Sequence, residues 1–304
     1  MPGNISEEEE IGRMISSEIK YSDNMQTVIR KSLLYRTAVE YGDYTVNHIE
    51  GCAHGCNYPC YAMRMSMRFG RVKSYKEWIK PKLVGNAIEL LEHEIPRFKT
   101  KIKFVHLCFM SDPFMYGFPE VSQMSLQIIK LLNDNGIPVT TLTKGLYPST
   151  LINCASNPEN EYGITIVSIM SEYQKRFEPF SAKWYHRIRS LELLGKKGAK
   201  TWVSMEPYPT PNIIRQNISE ILDRVSFTNK IIFGRLNYNS CSTGYENHKE
   251  YYNEQCCQIR EFCVKNRIRY YFKKGTYTRP RCASIIAPEA TLESSSPFFG
   301  IISK

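Results

Sequence analysis

From Tyr44 onward, short runs of apolar and β-branched residues alternate with longer amphipathic stretches, separated by polar or Gly/Pro-containing turns. The pattern predicts strands over Tyr44–Glu50, Lys103–Phe109, Ile137–Thr143, Gly163–Met170, Lys200–Glu206, Lys230–Gly234 and Arg269–Phe272. Between them it predicts helices over Leu83–Ile95, Glu120–Asn133, Ala182–Lys196, Asn212–Val225 and Tyr245–Asn266, with a short one near Ser149. Asn135-Gly136 and Lys197-Gly198 stand between a helical pattern and the next strand, where a left-handed C-terminal residue is wanted. No fixed-period repeat is visible, which argues against a solenoid. Alternating β and α segments predict an α/β fold with a parallel sheet, open or curled into a full or partial barrel, whose chemistry gathers at the C-terminal strand ends. Residues 1–43 read as an N-terminal extension, acidic at first and helical from Asn24 to Tyr41. Residues 44–274 form one catalytic domain, and 275–304 an irregular, Ser- and Pro-containing tail packing on it.

The chain has 304 residues, 42% of them hydrophobic, enough for a substantial core. No stretch reaches the length of uncharged apolar sequence that a membrane span requires. The start, MPGNISEEEE, resembles neither a secretory signal nor a transit peptide, so a cytoplasmic location is expected. Ten cysteines in that reducing setting point to metal binding, catalysis or core packing rather than disulfides. Forty Lys and Arg against thirty Asp and Glu give a formal charge of +10, which suits a polyanionic partner such as nucleic acid without identifying one.

The strongest chemical signal follows the first strand: Cys52, Cys56 and Cys60 recur every fourth residue. That spacing would align them on a helix, but Gly51, Gly55 and Pro59 make a poor helix, so a loop that wraps a metal group is the better assignment. Two metal readings stand beside simple packing. Zinc would need four closed ligands, with His54 the candidate fourth. An iron–sulfur cube takes one thiolate per iron, and three cysteines leave one iron open for a chelating ligand.

At these residues the sequence resembles the radical S-adenosylmethionine superfamily, and within it the spore photoproduct lyase-like subgroup, often described as DNA-repair photolyase-related. The resemblance rests on four segments in order: GCAHGCNYPCYA (51–62), MSDPF (110–114), TLTK (141–144) and RFEP (176–179). It implies a partial (βα)6 TIM-like barrel of parallel strands, a [4Fe–4S] cluster on Cys52, Cys56 and Cys60, and S-adenosylmethionine chelating the open iron. The usual cysteine spacing is three residues and then two; here it is three and three, with Pro59 the extra residue.

By the same resemblance Ser111 and Asp112 bond the methionyl ammonium or the ribose, Lys144 pairs with the methionyl carboxylate, and Ser168 contacts that carboxylate. Tyr58, or Tyr61 in its place, contacts the adenine, while Arg176 and Glu178 hold a substrate-facing loop or pair with each other. Ser111 and Asp112 could alternatively be an N-cap pair for the next helix. Spore photoproduct lyase is expected to use a cysteine just before the Ser-Asp pair as hydrogen donor; Met110 stands there, and Cys108, two residues earlier on the same strand face, is the nearest thiol. Glu206-Pro207, Arg235, Asn237 and Lys273-Lys274 also fall at strand ends, and Cys256 and Cys257 read as core. The implied partners are a low-potential electron donor (flavodoxin or ferredoxin) and a nucleic-acid or peptide substrate, with no membrane.

Overall fold

The structure is a computed structural model that describes residues 25–279. Its frame is a sheet of seven parallel strands: β3 (Tyr44–Val46), β6 (Val105–Leu107), β7 (Val139–Thr143), β8 (Glu161–Thr165), β9 (Lys200–Tyr208), β10 (Lys230–Arg235) and β11 (Arg269–Phe272). An eighth strand, β2 (Leu34–Arg36), lies antiparallel on β3, giving the order β11-β10-β9-β8-β7-β6-β3-β2. The chain connecting each parallel strand to the next runs through helices: α3 (Ala87–Phe98), α4 (Pro119–Asp134), α5 (Leu151–Cys154), α6 (Ser171–Phe177), α7 (Trp184–Lys196), α8 (Ile218–Arg224), α9 (Ser240–Thr243) and α10 (His248–Asn266). Two more, α1 (Tyr61–Arg68) and α2 (Tyr75–Trp78), follow the cysteine segment.

The strand register separates the two faces of the sheet. Val105, Leu107, Val139, Ile164, Val203, Ile231 and Phe233 join helix residues such as Leu91, Ile128, Leu132, Leu191 and Ile259 in one apolar core. Because side chains alternate along a strand, the residues between them point the other way. Thr45, His106, Thr140 and Glu161 are neighbours in one row of that second face, and Gly163, Trp202, Lys230 and Arg269 in another. The inner face is therefore polar although its residues are buried. Its floor is an ion-pair group: Glu161 accepts from Lys230 Nζ and, at 3.0 Å, from Arg269. Gly163 makes room for the Trp202 indole, from which a Cβ would lie only 2.3 Å.

The sheet curls enough for its edges to meet at the C-terminal end. Beyond β11, Lys273 Nζ lies 3.9 Å from Glu40 and over the Tyr41 ring (5.2 Å), and Lys274 N donates to Glu40 (3.3 Å); both partners lie between β2 and β3. This is a parallel α/β sheet curled into a partial barrel.

Several expectations for the first ninety residues need correction. The helix expected over Asn24–Tyr41 is, from residue 25 on, two strands: β1 (Thr27–Val28) and β2. Helix-like apolar spacing lost there to a β-branched run and to pairing with waiting edges; buried Glu94 of α3 ties the segment down by accepting from Leu33 N and Leu34 N (2.7 Å for the latter). The segment also pairs with the main sheet rather than standing apart from it. The strand expected over Tyr44–Glu50 breaks at Asn47-His48: β3 stays in the barrel, while β4 (Ile49–Glu50) joins a small sheet with β5 (Lys82–Val84) and β1. Leu83, expected to open a helix, lies in β5, because Gly85-Asn86 delays α3 to Ala87. The tail beyond residue 279 lies outside the described residues.

Candidate functional site

The cysteine segment leaves β4 at Gly51, whose left-handed φ of 83° turns the chain back; a Cβ there would lie 2.6 Å from the Trp78 carbonyl oxygen. Cys52 N donates to that same carbonyl (2.9 Å), Asn57 N to Phe177 O (2.9 Å), and the Tyr75 hydroxyl to Gly55 O (2.8 Å). Cys60 begins α1 as its N-terminal flanking residue. The segment is thus a loop, braced by α2 on one side and by the end of α6 on the other.

His54 is the internal strut of this loop. It is buried at 1% exposure; its Nε2 accepts from Tyr116 N (3.0 Å), and its Nδ1 faces Asp112 Oδ2 at 3.4 Å. Burial pushes its pKa down to about 4 against the pull of Asp112. With both ring nitrogens committed, His54 is not a fourth zinc ligand. Among the described residues no three His, Cys, Asp or Glu side chains converge on a single-ion site. Thiolates that each take a different iron of a cube need not share one centre. All three thiols feel one another and are raised by burial, Cys60 to about 12, with Lys144 pulling the other way at Cys56. Three neighbouring thiols, Cys52 and Cys60 partly accessible and Cys56 buried beside Lys144, without a fourth side-chain ligand fit a site-differentiated [4Fe–4S] cluster.

Lys144, just past β7, reaches this loop. Its Nζ lies 3.8 Å from Cys56 Sγ and 3.1 Å from Glu178 Oε1, donates to the Tyr58 hydroxyl, and sits over the Tyr58 ring (4.6 Å). Burial alone would lower its pKa, but Cys56 and Glu178 outweigh burial and raise it. Tyr58, Cys56 and Leu236 form a small apolar wall, with Phe177 and Ile213 packed against them. Tyr61 is exposed.

The other expected residues divide. Ser111 Oγ donates to Gly51 O and so fixes the loop. Asp112 is a hub rather than a ligand-facing acid: Oδ1 accepts from Phe114 N (2.9 Å) and Thr143 Oγ1 (2.6 Å), and Oδ2 from Lys144 N (2.8 Å). It does not cap a helix, since α4 starts only at Pro119. Ser168 is buried, its Oγ accepting from Met170 N (3.1 Å). Arg176 does not pair with Glu178: its guanidinium lies over Phe177 (4.8 Å) and its carbonyl accepts from Asn57 Nδ2 (3.2 Å). The partner of Glu178 is Arg187, 2.8 Å away and also buried; with Lys144 it holds the Glu178 pKa down at about 2 although burial pushes it up.

Cys108 is the clearest departure. It lies one residue past β6 in a left-handed conformation (φ 63°), so it shares no strand face with position 110. Its thiol is 4% exposed, packs with Ile49, Leu83, Met115 and Val121, and donates to His48 Nδ1 at 3.4 Å. His48 Nε2 in turn meets Ser125 Oγ (2.8 Å), whose own proton goes to Pro113 O. The thiol belongs to a closed chain beneath the loop rather than to the mouth.

Arg187 escaped the sequence reading, yet its signal was present. Trp184, Arg187, Leu191 and Leu194 share one helix face, and a charge inside such a stripe requires a buried partner.

No family model matches the sequence, and no curated protein matches it. The fold does have solved relatives. Its partial barrel is similar to that of solved spore photoproduct lyase structures. The structure of that enzyme complexed with a dinucleoside spore photoproduct has TM-score 0.60 at 13% identity, covering 81% of each chain. One of its mutants gives 0.63 at 12% identity, covering 91% of this chain and 86% of that one. Among the described residues no helix is long and apolar enough to cross a membrane.

Proposed function

We propose that this chain is a radical S-adenosylmethionine enzyme acting on nucleic acid. The observation that carries it is the Lys144 ammonium held between Cys56, Tyr58 and Glu178 beside three gathered thiols. Cys52, Cys56 and Cys60 would hold a [4Fe–4S] cluster, which with S-adenosylmethionine would supply reductive cleavage of the sulfonium for hydrogen abstraction from a substrate C–H. Lys144 offers a charge for the methionyl carboxylate, and the Glu178–Arg187 pair keeps that ammonium aimed. The Ser168 hydroxyl, accepting one backbone bond, keeps its proton to donate to the same carboxylate. Tyr58, Phe177, Ile213 and Leu236 offer an apolar wall for adenine. Ser111, Asp112 and Arg176 hold the surrounding loops. A flavodoxin or ferredoxin would deliver the electron to so basic a protein.

Nucleic acid is favoured by the segment after the cluster loop. Arg64, Arg68, Arg71, Lys73, Lys76 and Lys80 are all exposed, against one acid, Glu77, and alternate with exposed Tyr61, Phe69 and Tyr75. Cations for phosphates interleaved with rings for stacking suit a single strand. The similar lyase is solved with a dinucleoside ligand. Met110, where that reaction expects a thiol, and the enclosed Cys108 favour a different outcome at the substrate carbon.

Anaerobic reconstitution tests the first half: about four irons per chain and 5′-deoxyadenosine after dithionite are expected, and a colourless protein holding one zinc would refute it. For the second half, deuterium from a labelled oligonucleotide should appear in 5′-deoxyadenosine; label arriving only from a peptide would overturn it.

A further inference from the structure

Resting on that nucleic-acid reading, we propose that Arg64 and Tyr238 form a nucleotide-positioning site on the rim beside the cysteine loop. One base of a single strand stacks on Tyr238, and Arg64 holds the phosphate next to it. Arg64 stands one turn past Cys60 in α1, its backbone N–H donating to Cys60 O (3.0 Å). Tyr238 stands three residues past the end of β10 and two past Leu236, which packs on Cys56 and Tyr58. The Arg64 guanidinium lies over the Tyr238 ring, 5.1 Å from its centroid, so the contact joins the exit of the cysteine loop to the connection after β10.

The rival account makes the pair a staple that only ties these two segments together. Three observations go further. Tyr238 is 65% exposed even with Arg64 over it, the most open of the large aromatic side chains among the described residues. Its backbone is left-handed (φ 59°), a conformation that a bulky residue adopts only where its surroundings impose it. The flanks do impose it: Leu236 N donates to Tyr208 O (3.0 Å), Asn237 Oδ1 accepts from Arg235 Nε (2.9 Å), and Asn239 Oδ1 accepts from Ser242 N (3.0 Å) at the start of α9. The chain thus holds a large ring out in water although an apolar wall stands two residues away, the reverse of what packing alone favours. Lastly, stacking uses the flat face of the Arg64 guanidinium and leaves its N–H fork open at the edge. Among the described residues no carboxylate pairs with that fork. A ring with one open face beside a cationic fork matches a base and its neighbouring phosphate, the two parts that every nucleotide carries. Every base has such a face, so the site positions a strand and reads no sequence.

The test uses the reconstituted holoprotein with S-adenosylmethionine present. Two fluorescent strands are titrated by anisotropy: a short oligo(dT), and an abasic deoxyribose-phosphate strand of the same length and charge. Tyr238→Ala should bind oligo(dT) about tenfold more weakly than the wild type, the size expected of one stacked base, while binding the abasic strand as the wild type does. Its salt dependence should not change, because the phosphate contacts remain. Tyr238→Phe keeps the open face and should stay within about twofold of the wild type on oligo(dT). Arg64→Ala should weaken both strands and lower the salt slope by about one. Equal losses on both strands in Tyr238→Ala, or no loss on either, make the pair a staple and overturn the site while leaving nucleic-acid binding intact. A wild type that binds oligo(dT) no better than the abasic strand overturns it too, with no variant needing to fold. Failure of the wild type to bind either strand removes the nucleic-acid reading itself, and this site with it.

Discussion

The barrel carries two similar charge groups at opposite ends. Near its mouth Glu178 is held by Lys144 and Arg187; at its floor Glu161 is held by Lys230 and Arg269. Each has one carboxylate and two cations, and both carboxylates are buried. Their lysines differ. Lys230 packs over the Trp202 ring (5.2 Å), and burial, outweighing Glu161, lowers its pKa. Lys144 keeps only 12% of its side chain exposed, yet Cys56 and Glu178 raise its pKa against burial. The floor lysine's charge is consumed by its own carboxylate, whereas the mouth lysine extends past its carboxylate to the thiols. A buried ion pair is weak evidence for function by itself; the extra, unclosed direction at Lys144 is what separates a site from a strut.

The comparison breaks most visibly if one carboxylate is removed. Glu178→Ala and Glu161→Ala should each cost about 3–5 kcal/mol in urea unfolding, since each strands a buried cation, Arg187 in one case and Lys230 in the other. The losses should be similar, while iron incorporation should fall only in Glu178→Ala. A floor variant that failed to take up iron would mean that the two ends are not independent. Cutting the lysines is gentler and sharper. Lys144→Met should weaken S-adenosylmethionine binding about 10–100-fold in equilibrium dialysis, the worth of a charge-assisted hydrogen bond. Lys230→Met should leave that affinity within about twofold. Equal affinities in the two variants would deny Lys144 its assigned role.

How much of this was legible follows from range. The parallel strands and main helices were readable because periodicity and helix-end glycines are local; Arg269–Phe272 agrees at both ends, and Glu120–Asn133 became Pro119–Asp134. The three cysteines were readable because glycine and proline denied them a helix. What failed depended on contacts between distant residues. The stretch after Asn24 is strand because Glu94, some sixty residues away, takes up its amide protons. Position 108 left the strand face through a single positive φ that its sequence does not announce. Asp112 looked like a ligand because it stands at a strand end, yet Thr143, Phe114 and Lys144 had already claimed its oxygens. Arg187 was visible in principle, as a charge within an apolar stripe, but its carboxylate could be found only in three dimensions.

Acid should expose the smallest difference between the ends, and the sign can be worked through. His48 and His54 are buried beneath and within the cluster loop, and His106 in the floor row beside Thr140 and Glu161, with pKa values pushed down by burial to about 3, about 4 and about 3. An unfolded histidine titrates near ~6.5. Above that pH both states are neutral and the groups contribute nothing to the slope. Below it the unfolded chain takes up protons that the folded chain refuses, so stability falls by about 1.4 kcal/mol per pH unit for each such histidine. Glu178, held at about 2 against an unfolded value near ~4.3, adds its loss only below about pH 5. Between pH 6.5 and 5 the histidines dominate the slope of the urea midpoints, opposed by Glu206, whose pKa burial raises, and His106→Phe should make that slope clearly shallower. His106 stacks on Phe109 at 3.8 Å, so a ring of similar shape keeps that packing while deleting the titration. An unchanged slope in that variant would show that protons enter elsewhere, and that the polar inner face is open to water at its buried end.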